Sequence, residues 1–146
     1  MRRLAPDEAA VGWRVRVRDA GGDPWQFESE EVLSAVLVRS TGSIAWIDLG
    51  PLAPIDAACR AWRAELERVP FDRDAARTTG ERVRALVVDP VRARATDARR
   101  WAVAPDGPLL SLPLDALPDA RDGGDLLGDH VSLRTVWSFD TEPAPA

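Results

Sequence analysis

The stretch "EVLSAVLVR", residues 31–39, limits the possible folds more than any other part of the chain. It is a nearly continuous apolar run rich in valine and leucine. It is short and β-branched, so it reads as a strand buried on both faces. "STGS", residues 40–43, follows with a glycine able to take positive φ, and "SIAWIDLG", 43–50, returns as a partner strand. A hairpin over 31–49 therefore commits the chain to a sheet. A second strand is written into "GWRVRVRD", where Trp13, Val15 and Val17 alternate with Arg14, Arg16 and Arg18. Period 2 over that length marks a half-buried strand. "DAGGDP", 19–24, has the glycines and proline of a loop.

After "GPLAP" the period changes to that of a helix. Ile55, Ala58, Cys59, Trp62, Leu66 and Val69 fall on one stripe, with Pro54 in the first turn and Pro70 as the stop, which predicts a helix over 55–68. Asp56 with Arg60 and Arg63 with Glu67 make i,i+4 pairs on its wet face. Thr78 and Glu81 have capping-box spacing, so a second helix is expected over 80–89, burying Val83, Leu86 and Val87. Pro90 should break it, with a short continuation over 91–95. A strand over 101–104 leads into Ala104-Pro105-Asp106-Gly107, which fits a type I turn. A last strand over 130–137 places Val131, Leu133, Thr135 and Trp137 on one face. The expected class is α+β or α/β: a mixed sheet with an antiparallel hairpin and two packed helices. Residues 1–10 form a lead-in, 11–139 the domain, and 140–146 a polar, proline-rich tail.

At 146 residues, 45% apolar and 29% charged, the chain suits one globular domain. It has no apolar run of membrane-spanning length and no secretory leader after Met1, so a cytoplasmic setting without membrane association is expected. A single cysteine precludes an internal disulfide. The net charge of −5 argues against general nucleic-acid binding. Every basic residue is arginine, a usage typical of GC-rich bacterial coding.

Few side chains suggest chemistry. Cys59 and His130 are the obvious nucleophile–base candidates, but Cys59 lies on an apolar helical stripe and reads as a small buried hydrophobe. No catalytic residue is assigned. Metal ligation lacks a ligand spacing, and "GGDLLGD" lacks the lysine of a phosphate loop, so no metal or cofactor is expected. The candidate binding residues are Arg14, Arg16 and Arg18, either an electrostatic footprint or the wet face of a strand paired with Glu28, Glu30 and Glu31, together with Trp25 beside Pro24 in a loop. The other tryptophans read mostly as core. The cluster Arg92, Arg94, Arg99 and Arg100 reads as a solvated connection.

The order of pieces resembles the front portion of the CHAT domain, a caspase-like family associated with tetratricopeptide repeats. The pieces are "SIAWIDLGPLAPIDAACRAWRAEL", a capped helix, "WAVAPDGPLLSLPLDALP" with its Pro-Asp-Gly turn and Leu112-Pro113-Leu114-Asp115-Ala116-Leu117, and "GDLLGDHVSLRTVWSF". The similarity runs from about Ala9 to Phe139. Members resemble cysteine peptidases whose catalytic histidine, followed by glycine, and later cysteine lie downstream of the region matched here. This chain has no His-Gly, and its cysteine precedes its histidine. The resemblance therefore implies a non-catalytic scaffold or docking surface for a catalytic half. The partner would be that half or a repeat protein, with self-association through the 131–139 strand edge as a further expectation, including exposure of Val136 and Phe139. A free-standing interaction module is the alternative, and an independent cysteine peptidase ranks last.

Overall fold

The computed structural model describes residues 4–19, 29–119 and 124–136. Five strands form one mixed sheet in the order β3-β2-β1-β4-β5: β1 (Glu8–Asp19), β2 (Ser29–Arg39), β3 (Ile44–Pro51), β4 (Arg100–Ala104) and β5 (Ser132–Thr135). The hairpin forms as expected, antiparallel with Val38 opposite Ile44, and Gly42 takes φ +84° in its turn. β1 pairs antiparallel with β2 from Ala9 to Asp19 and parallel with β4 over Glu8–Gly12 only. β5 then adds parallel to β4. One half of the sheet is thus antiparallel and the other parallel, which confirms the mixed α and β class.

Alternation on β1 divides the two faces. Ala9, Val11 and Trp13 join Leu33, Ala35, Leu37, Trp101 and Val103 in a continuous core. Helix α1 (Leu52–Glu67) closes this core with Ile55, Ala58, Cys59 and Trp62, and α2 (Arg73–Val87) with Val83 and Val87. Each such fully buried side chain contributes roughly 1.5–3 kcal/mol of transfer free energy. The indole Nε1 of Trp13 donates to the Val87 carbonyl at 3.1 Å, tying the sheet to the end of α2.

Several expectations need correction. β1 begins at Glu8, inside the supposed lead-in, because Arg99 and Arg100 both donate backbone N–H groups to the Asp7 carbonyl and draw that segment into the sheet. Val17 is 69% exposed, because the far end of β1 runs on past the helices. α2 starts at Arg73, more than a full turn before Thr78. Its cap is Asp72, whose carboxylate accepts from the Ala75 N–H at 3.0 Å, while Thr78 lies within the helix. Ala104–Gly107 is not a type I turn. Asp106 is extended, at φ −143° and ψ 160°, and caps a 3-10 turn over Gly107–Ser111. The last strand is confined to Ser132–Thr135 and is preceded by a short helix, α4 (Leu127–His130). Trp46 is 61% exposed rather than core, since it lies on the face of β3 away from the helices. The helix breaks near Pro90 as read, but the break comes at Val88, and the short continuation is α3 (Asp89–Arg92), with Pro90 in its first turn, rather than 91–95. Trp137 and Phe139 lie outside the described residues. Among those residues, no helix is long and apolar enough to cross a membrane.

Candidate functional site

The segment from Ala104 to Asp119 has a structural role that can be traced atom by atom. β1 outruns β4 after Gly12, so the next inward amides of β1 lack a strand partner. Asp106 substitutes for one. One carboxylate oxygen accepts from the Val15 N–H and the other from the Gly107 N–H, both at 2.9 Å. Gly107 takes φ +56°, and a Cβ there would lie 2.7 Å from Val15 Cγ2, so both the backbone angle and the close approach require glycine. Leu109, Leu112, Leu114 and Leu117 then insert into the core. The end of the segment is held by two arginines. Arg84 Nη1 donates to the Pro118 carbonyl at 2.6 Å, and Arg92 makes two 2.9 Å bonds to the fully buried Asp119 carboxylate. The sequence reading took Arg92 as solvated. The signal it lacked was long-range, because Asp119 lies 27 residues away.

Cys59 is buried at 3% exposure in the middle of α1. Burial, reinforced by nearby Asp56 and only partly opposed by Arg63, pushes its thiol up to about 11. At neutral pH it is a protonated core side chain, the opposite of an activated nucleophile. His130 ends α4, and its Nε2 lies 3.0 Å from Asp125 Oδ2 and 3.9 Å from Asp119 Oδ2. The groups whose charge acts on Cys59 are on its own helix, and among the described residues the groups beside His130 are the carboxylates of Asp119 and Asp125. Among the described residues, no three of His, Cys, Asp and Glu gather as a metal site.

The arginine row does share one face of the sheet, but its members differ. Arg18 is neutralised by Glu30 at 2.9 Å and Asp48 at 3.1 Å. Arg16 bonds Ser34 Oγ through Nε and Nη2, at 3.2 and 2.9 Å, and its guanidinium carbon lies 5.4 Å from the Trp46 ring centroid. Arg14, among the described residues, has only a 3.4 Å contact with the Trp13 carbonyl. Glu30 is thus confirmed as a partner of Arg18, while Glu28 and Trp25 lie outside the described residues. Asp48 and the Arg16–Trp46 stack could not be read from the sequence, because both depend on the β2–β3 register.

Two grooves border the fold. One, of about 260 Å³, lies between α1, the start of α2, Pro118 and residues 124–126, and includes Trp62, Phe71, Arg73 and Leu126. The other, of about 210 Å³, lies at the carboxyl ends of β4 and β5, where Leu133 and Thr135 face Leu109, Leu112 and Pro113. β5 is the outermost strand on that side, and Val136 extends its pairing with a bond from its N–H to the Val103 carbonyl at 2.8 Å. Val136, expected at an exposed edge, is half-buried.

Comparisons with protein-family models, with curated proteins and with solved structures gave no match.

Proposed function

We propose that this chain is the non-catalytic front portion of a CHAT-like, caspase-related domain, serving as a docking platform for a catalytic half built from further polypeptide. One observation carries the reading. The sheet grows from β1 by two parallel steps and ends, among the described residues, on a parallel edge strand with a groove of mixed polarity at its carboxyl end, lined by Leu112, Asp115, Leu133 and Thr135. An edge strand presents a row of backbone N–H and C=O groups that a further strand can pair with. The carboxyl ends of parallel strands are also where open α/β sheets place their ligand sites. The natural occupant is another parallel strand with its crossover helix, laid against β5 and seated over Leu133 and Leu112.

The chemistry within the chain supports the division of labour. Cys59 is held protonated in the core, and His130 engages carboxylates. The Pro-Asp-Gly and Leu-Pro segments act as structural ties, which is the role a platform needs from them. The test is to mix the purified chain with a separately produced CHAT catalytic half and follow size-exclusion elution and peptidase activity. Co-elution, lost on Leu133→Glu in a variant that melts like the parent, is the expected result. Failure to associate, or peptidase activity in this chain alone, would sink the proposal.

A further inference from the structure

The sheet face turned away from α1 and α2 carries a second surface, independent of the CHAT reading and of the β5 edge. Along β1 this face presents Arg14, Arg16 and Arg18. Beyond their β2 neighbours it presents Ile44, Trp46 and Asp48 of β3. Ile44 and Trp46 are 64% and 61% exposed, and all three arginines are exposed. In a chain of net charge −5, two of those arginines have no carboxylate partner among the described residues, while the third is paired twice. Arg16 is also pre-positioned. Ser34 holds two of its nitrogens, and Trp46 lies close to its guanidinium, so little side-chain freedom remains to be lost on binding.

We propose that this face binds an extended acidic segment of a protein partner. Carboxylates two residues apart would engage Arg14 and Arg16, and an apolar side chain would rest on Trp46 and Ile44. The spacing is what favours this occupant. Arg14 and Arg16 are i,i+2 neighbours on a strand, about 6.6 Å apart along the chain direction, and same-side carboxylates of an extended peptide repeat at the same interval. Guanidinium forks match carboxylates bidentately, and the apolar strip alongside suits a peptide side chain. A long polyanion such as RNA would bring its phosphates past the acidic remainder of the surface, which opposes it.

The probe is a fluorescein-labelled peptide alternating glutamate with valine, with its glutamine-for-glutamate counterpart and a single-stranded RNA oligonucleotide as comparison arms. Anisotropy should show the acidic peptide binding, with affinity falling as salt rises. Arg14→Gln and Arg16→Gln should each weaken it about tenfold, the scale of one charge-assisted hydrogen-bond pair. Trp46→Ala should also weaken it, while Arg60→Gln on α1 should leave it unchanged. Circular dichroism melts of each variant establish that the fold persists. The proposal is overturned if the glutamine peptide binds equally well, if RNA binds as tightly as the acidic peptide, if neither arginine variant alters binding, or if no binding is seen.

Discussion

Single residues are where burial and charge act most directly. Cys59 has a thiol raised from 9.0 to about 11 by its surroundings, chiefly burial. A raised folded value means the native state keeps a proton that the unfolded chain gives up, so stability is full below pH 9 and falls between about pH 9 and 11, by up to about 1.4 kcal/mol per unit. Urea melts across that range should show the decline, and Cys59→Ala should flatten it. For the same reason iodoacetamide should label the folded protein slowly at neutral pH. Arg92 and Asp119 form the costliest pair to break. Replacing Arg92 with methionine leaves a fully buried carboxylate without its bidentate partner, and a loss of about 3–5 kcal/mol is expected in denaturant unfolding. Gly80 is a quieter constraint. A Cβ there would lie 2.6 Å from Pro118 Cδ and 2.9 Å from Trp62 Nε1. Gly80→Ala should therefore lower stability by about 1–2 kcal/mol, despite the better helix propensity of alanine.

At the scale of elements, what could be read from the sequence was what is local and periodic. The 31–49 hairpin, the stripe of α1 from Ile55 to Trp62 and a helix break near Pro90 each follow from spacing or from backbone restriction within a few residues, and each is present, whereas Leu66 is exposed and Val69, expected on the same stripe, lies exposed past the helix end. The errors lie where two good local signals competed. Thr78 and Glu81 have the right spacing for a cap, but Asp72 lies earlier and a helix once started runs through Thr78. Asp72→Ala should cost about 1 kcal/mol in thermal unfolding, whereas Thr78→Ala should be nearly neutral. The candidate site was less legible than the fold. The three arginines were visible as a row, but which of them keep a free charge depends on Glu30, Asp48 and Trp46 arriving from other strands. Likewise, nothing near Asp106 in sequence announces that it will take the place of a strand partner for Val15.

Across the whole molecule, the sheet combines two constructions. Its antiparallel half is long and carries the arginine face. Its parallel half is short and carries the edge and groove that suit an incoming strand. The two proposed surfaces therefore lie apart, and a chain occupied at β5 keeps Arg14 and Arg16 available to a different partner. The Asp106 tie sets a limit that follows from this asymmetry. Because a side chain, rather than another strand residue, meets β1 at Val15, the ladder between β1 and β4 closes after five residues and the chain bends away over the top of the sheet. Any newcomer joining that flank finds a shallow berth, with room for about as many rungs as the short β5 itself offers.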